Sequence, residues 1–128
     1  LTMQIIFGNY SKIIGDKYTV LELDTLKSPS TGKTIICYCL IEHIPLNEMQ
    51  LAEAHVKIHK DLIVAYKNRH WTYCERAIEG LTGKWNGEMD TFYANLLERV
   101  KKYQENPPDD SWDATIEKEF DQEFLTID

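Results

Sequence analysis

Three shortages in this chain each exclude something. Cys37, Cys39 and Cys74 are the only cysteines among 128 residues. An odd number without framework spacing builds no disulfide scaffold, and free thiols belong in a reducing compartment. Positive charge is also scarce: 14 Lys and Arg face 21 Asp and Glu, a net charge of −7. Phosphate backbones are held by basic surfaces, so a nucleic-acid binder is not expected. No apolar run is long enough to cross a bilayer, and no charged start leads into an apolar signal core. The expectation is a cytoplasmic protein without a membrane partner. The first residue is Leu1 rather than methionine, as in a trimmed product or part of something longer. Catalytic motifs are missing as well.

Hydrophobic residues make up 43% of the chain. At this length that supports one domain with a modest core rather than a disordered chain. The expected parts are a β-rich stretch (1–44), a helical stretch (45–106) and an acidic C-terminal arm (107–128).

The stretch from Leu51 to Tyr103 carries helical periodicity. Leu51, His55, Ile58, Leu62, Ala65 and Tyr66 line one face of a first helix, widened by Ala52, Val56 and Ile63. Asn47 is placed to cap that helix, and Leu46 with Leu51 to staple its entry. Trp71, Cys74, Ile78, Leu81 and Trp85 then draw one stripe down a second helix. Met89, Phe92, Tyr93, Leu96, Val100 and Tyr103 draw a third. Gly83 and Asn86-Gly87 break the pattern between the second and third helices, and Pro107-Pro108 ends the last one. Helices joined by such short breaks describe tetratricopeptide-like packing.

Before the helices, Met3 to Phe7, Lys17 to Asp24 and Lys33 to Glu42 read as strands, with turns at Gly8-Asn9 and Gly15-Asp16 and a polar loop at Ser28 to Gly32. The last of these strands is apolar on both faces and therefore needs cover on both. A lone hairpin is marginal in water, so it must take a third strand from the N-terminus, lean on the helices or pair with another chain. The fold class is α+β: a small antiparallel sheet, a three-helix region and a C-terminal arm.

Several of these residues are shared with one family. Tyr66, Arg69 and Trp71, then Ala77, then Tyr93 and Arg99, then Pro107-Pro108 and Trp112-Asp113 resemble the short tetratricopeptide-like tail that follows the catalytic domain of bacterial class III adenylate and guanylate cyclases. Leu23-Asp24, Gly32-Lys33 and the strand holding Tyr38 are similar to the last strand pair of such a cyclase. Ala114 stands where that family has glycine. No stretch upstream offers the two metal-binding aspartates and nucleotide-reading residues of a cyclase domain. The resemblance implies an accessory module, with Tyr66, Trp71, Ala77 and Arg99 as structural anchors, and not cyclase activity.

The chemistry-bearing residues are few. His55 and His59 are four apart, a spacing that can put two imidazoles on one metal, but Val56 stands where a zincin has glutamate. The bland alternative has His55 facing the core and His59 at the surface. Cys37 and Cys39, with His43, could hold a soft metal; buried apolar thiols are the simpler reading. Gly80 to Lys84 and Ser30 to Thr34 lack the first glycine of a phosphate loop and read as turns. Among the aromatics, Trp85, Tyr93, Tyr103 and Trp112 are the expected interaction residues. Trp85, at a helix end, is expected to be partly exposed, and Trp112 to be either a clasp for the tail, the favoured reading, or a contact for another protein. The expected role is a non-catalytic protein-interaction or assembly module, self-associating as a homodimer through an open hairpin edge or a helical face and needing no cofactor. The alternative is a small metal- or ligand-binding protein or enzyme using His55, His59 and nearby carboxylates.

Overall fold

The computed structural model describes residues 3–7, 19–41 and 46–120, with side chains described for 19–41 and 47–120. The turns expected at Gly8-Asn9 and Gly15-Asp16, the strand end at Glu42, His43, Pro45, and the acidic end beyond Phe120 lie outside those residues. The chain is an α+β protein. Length suggested one domain, yet the backbone gathers into two compact units. One holds residues 1–45 and 114–128, the other residues 46–113. The helical unit is thus an insertion between two parts of the sheet unit. The stretch from 107 onward is not one arm, because its first residues belong to the helices and the following ones to the sheet.

In the sheet unit, β1 (Met3–Phe7), β2 (Thr19–Lys27), β3 (Thr34–Ile41) and β4 (Thr115–Glu117) lie in the order β1-β3-β2-β4. The β2–β3 hairpin is antiparallel, and β1 joins β3 antiparallel with Met3 opposite Ile41. The N-terminus therefore supplies the third strand that a hairpin apolar on both faces demands. β2 runs on to Lys27, past the expected end at Asp24, because its register shifts between Glu22 and Thr25. Such a bulge absorbs one irregularity without ending the ladder. Gly32, at φ 73°, closes the hairpin turn, donating its N–H to the Ser28 carbonyl at 2.8 Å. β4 is the unforeseen element, pairing parallel with β2 from Thr25 to Lys27. Hairpin edges expected to be open thus carry β1 on one side and β4 on the other. Strand edges seek partners, and here the chain's own ends provide them.

On β3, Ile35, Cys37, Cys39 and Ile41 are buried, and so is Leu40 on the opposite face. Leu26, Ile35 and Cys37 form a buried cluster on which Leu23, Ile116 and Phe120 pack. Two of those six residues come from beyond the helical insertion.

In the helical unit a 3₁₀ turn at Leu46–Glu48 leads into α1 (Met49–Lys67), followed by α2 (Trp71–Leu81) and α3 (Asp90–Glu105). Asn47 is not the cap: α1 begins at Met49 with Glu48 before it and no side-chain capping bond. Leu51 is 62% exposed, so it does not staple the helix entry. The buried face is set by Ala52, His59, Leu62, Ile63, Ala65 and Tyr66 instead. α2 ends at Leu81, where Thr82 Oγ1 donates back to the Ile78 carbonyl at 2.8 Å. Trp85 and Met89 lie in the turns before α3 yet are buried. Gly83, at φ 83°, donates its N–H to Asp90 Oδ1 at 2.7 Å and so ties that connection to the start of α3. α3 ends at Glu105, before the two prolines, as their missing N–H groups require. His59 meets Tyr93 while Tyr66 meets Arg99 and Tyr103. These contacts ascend together, so α1 and α3 run in the same direction.

Candidate functional site

The helical unit contains two side-chain clusters, one closed and one partly open. The closed one is built from α1, α3 and the turn between α2 and α3. Trp85 Nε1 donates to the Tyr93 hydroxyl at 3.0 Å, and that hydroxyl lies 2.9 Å from His59 Nδ1. All three side chains are buried, His59 and Tyr93 completely. A buried imidazole is cheapest when neutral. The pattern is satisfied when Tyr93 donates its proton to an unprotonated Nδ1, which places the ring proton on Nε2. The expectation for the two histidines is therefore reversed: His59 is the core residue, and His55 is half-buried with its ring edge-on to Trp85 at 5.9 Å. Burial, with Lys84 adding to it, pulls His55 below its ordinary pKa. Trp85 is 3% exposed and Tyr93 fully buried, so neither can meet a partner as expected. The turn at Asn86-Gly87 does place Trp85 outside a helix, but the chain folds its ring back onto Tyr93.

The partly open cluster surrounds Trp112. Its ring lies 5.4 Å from Tyr66, 5.6 Å from Trp71 and 5.3 Å from Tyr103, centre to centre, in edge-to-face arrangements. Such pairs set the electropositive ring edge against the electronegative face. Arg69, at φ 63° in the turn after α1, binds the same segment by its backbone. Its guanidinium donates to the carbonyls of Pro108 at 2.8 Å, Asp109 at 2.5 Å and Trp112 at 3.5 Å, and lies over the Trp112 ring at 5.3 Å. Asp109 folds the segment from within, accepting from Ser111 N at 2.9 Å and Ser111 Oγ at 2.5 Å. These bonds hold its carboxyl below the usual carboxylate range. Arg99 lies over Tyr66 at 5.6 Å and donates to its hydroxyl at 3.4 Å. Trp112 is thus a clasp. Tyr66, Trp71 and Tyr103 converge on it and Arg99 packs on Tyr66, whereas Ala77 is buried elsewhere on α2. Beside the clasp runs an open groove of about 390 Å³, lined in part by Arg69, Trp71, Tyr73, Tyr103, Gln104 and Pro107.

A third arrangement sits in the sheet unit. The Glu119 carboxylate accepts from Ser30 N at 2.8 Å and Ser30 Oγ at 2.6 Å, while Ser28 Oγ lies 3.2 Å from both its oxygens. The Ser30 bonds, ahead of the others, lower its pKa. Sequence reasoning read Ser28 to Gly32 only as a loop. The available signal was a serine pair flanking Pro29, which offers donors to a carboxylate, but nothing local says that Glu119 is the one.

Cys37, Cys39 and Cys74 are buried and none of them is in a disulfide. Burial, with Asp24 adding to it, pushes the Cys37 thiol up to about 11, and burial does the same for Cys74. A protonated thiol is a poor nucleophile and a poor ligand. Among the described residues no three His, Cys, Asp or Glu side chains gather as a metal-binding group. Among them, too, no helix is long and apolar enough to cross a membrane. Compared with protein families, with characterised proteins and with solved structures, the chain matches none.

Proposed function

We propose that this chain is a non-catalytic protein-interaction and assembly module whose partner is a second copy of itself. One observation carries the reading: His59, Arg69 and Glu119 are each engaged in holding their own chain together. His59 is bound to Tyr93, Arg69 to three carbonyls and Glu119 to two serines. The surface instead offers apolar and aromatic contact. Met49, Leu51, Val64 and Tyr73 are exposed, and Tyr73 shares its groove with Trp71 and Tyr103. Aromatic side chains are enriched where proteins dock. Light scattering across a dilution series tests the proposal. A molar mass that rises from one chain to two with concentration is expected. A monomer at every concentration would overturn self-assembly. Stoichiometric zinc in protein purified without added metal would favour the histidine-based alternative instead.

A second reading is supported by a separate observation. Of the residues that carry the resemblance to the accessory tail of class III cyclases, Tyr66, Arg69, Trp71, Arg99 and Trp112 meet in a single cluster, while Ala77 and Tyr93 lie outside it. Ala114, where that family has glycine, adopts φ 67°, a conformation that glycine accepts most readily. On this reading the helical unit is an accessory module of nucleotide signalling. Calorimetric titration with a purified class III cyclase catalytic domain tests it, and an absence of binding heat would count against it.

A further inference from the structure

We infer that Asn86 is a site of spontaneous, base-driven deamidation, which converts the Asn86-Gly87 turn to isoaspartate and loosens the connection that holds Trp85. The inference is separate from the self-assembly reading and lies wholly within the helical unit.

Asn86 is the one asparagine of the chain that glycine follows. Deamidation begins when the backbone nitrogen of the next residue attacks the side-chain carbonyl carbon of asparagine. A side chain on that next residue obstructs the approach, and glycine has none. Asn106 precedes Pro107, which has no N–H to lose. Asn68 commits its side-chain amide to the Val64 carbonyl at 2.8 Å, and Asn95 lies inside α3. Asn86 and Gly87, by contrast, are both exposed. Among the described residues neither the Asn86 side-chain amide nor the Gly87 N–H makes a hydrogen bond. The carbon to be attacked and the nitrogen that attacks it are therefore adjacent, in water and unengaged. Asn86 at φ 57° and Gly87 at φ 78° fill the two central positions of a mirror-image turn. The Glu88 N–H closes it by donating to the Trp85 carbonyl at 3.1 Å. Ring closure bends the backbone out of this conformation, and that single closing bond resists it.

Hydroxide takes the Gly87 N–H proton, and the nitrogen forms a bond to Asn86 Cγ. The bond from Cγ to Nδ2 breaks, and Nδ2 leaves as ammonia with a proton taken from water. A second water opens the cyclic imide. Cleavage between the ring nitrogen and Cγ leaves aspartate, whereas cleavage between the ring nitrogen and the main-chain carbonyl leaves isoaspartate. One water is consumed and one ammonia released overall, with no change in oxidation state. Isoaspartate routes the main chain through the side-chain methylene and so lengthens the turn by one atom. The product also adds a negative charge to a segment that already holds Glu88 and Asp90. This turn is part of the connection tied at Gly83 N to Asp90 Oδ1, and it brings Trp85 Nε1 to the Tyr93 hydroxyl. A longer backbone loosens that register.

The whole chain, held for days in warm, mildly alkaline buffer, is mapped by mass spectrometry of its peptides and by enzymatic methylation of isoaspartate. The expected result is an amide-to-acid mass gain at Asn86 ahead of every other asparagine, faster at higher pH, with methylation rising in step. Asn86→Gln should abolish both signals in that peptide. A gain appearing first at another asparagine, or none at Asn86 in the folded chain, would overturn the site. Amide exchange then reads the consequence. Residues 84–90 of the converted chain should exchange about tenfold faster than in the fresh chain, the worth of roughly one lost hydrogen bond. Asn86→Asp carries the charge without the extra backbone atom and should exchange like the fresh chain. Unchanged exchange in the converted chain, or equal acceleration in Asn86→Asp, would overturn the loosening by a lengthened backbone.

Discussion

The helical unit and the sheet unit solve the same problem by different means. Within the helical unit the buried residues recur every three or four positions along three consecutive helices, and side-chain contacts also link the first of them to the third. Within the sheet unit the strands come from opposite ends of the chain, and a whole helical insertion lies between β3 and β4. The first unit is assembled mainly from local periodicity, with Trp112 added as a clasp. The second depends on a returning segment whose contacts span most of the chain. A pattern confined to one stretch can announce its own structure, but a strand without its partner cannot.

Breaking the clasp should produce the largest effect. Trp112→Ala removes the ring that touches Tyr66, Trp71 and Tyr103 and strands the Arg69 guanidinium over a gap. Because Trp112 is only half-buried, a loss of about 3 kcal/mol is expected, at the low end for aromatic truncation. Urea unfolding followed by far-ultraviolet circular dichroism measures it, and an unchanged midpoint would show that the clasp is dispensable.

Tyr93→Phe should cost somewhat less, about 2 kcal/mol, because it keeps the ring but leaves Trp85 Nε1 and His59 Nδ1 without the hydroxyl between them. The same unfolding experiment checks it. Phe at this position restoring full stability would mean that the buried hydroxyl does no structural work.

Glu119→Gln should have a smaller effect, confined to the sheet unit. It replaces a charged acceptor of the Ser30 bonds by a neutral one. Faster amide exchange across Thr25 to Lys27, with the helices unchanged, is the expected signature. Equal acceleration in both units would contradict the independence of the sheet lock.

A separate effect is confined to alkaline solution. An unfolded thiol titrates near 9.0, whereas folded Cys37 and Cys74 titrate at about 11. Between those values the unfolded chain has released protons that the native chain retains, so stability falls as pH rises from 9 towards 11. Below 9 these thiols contribute no pH dependence. Denaturant midpoints of the native chain and of Cys37→Ala, compared across that window, test the sign. An identical slope in the variant would assign the loss to other groups.

Much of the helical unit was legible. The stripe from Trp71 to Trp85 predicts α2, although the helix stops at Leu81 and leaves Trp85 in the following turn, and Pro107-Pro108 predicts the end of α3. A third strand from the N-terminus was one of three ways in which the hairpin could be completed, and β1 takes it. The assignment of His59 and Trp85 was not legible. Both have polar ring nitrogens, and their burial depends on a single hydroxyl on α3 that satisfies them. Leu51 fits the apolar face of an ideal helix, yet it falls in the first turn of α1 and is exposed.

The sequence by itself determined the α+β class, the three helices and the β2–β3 hairpin, since side-chain periodicity and turn residues act over a few positions. Only the tertiary structure decided that Arg69 would grip the carbonyls around Trp112, that Glu119 would lock onto Ser28 and Ser30, and that Ala114 would take a left-handed turn before β4. Those outcomes join residues tens of positions apart. No local preference encodes them, because the hydrogen bonds and ring contacts that select each conformation exist only once the distant partner has arrived.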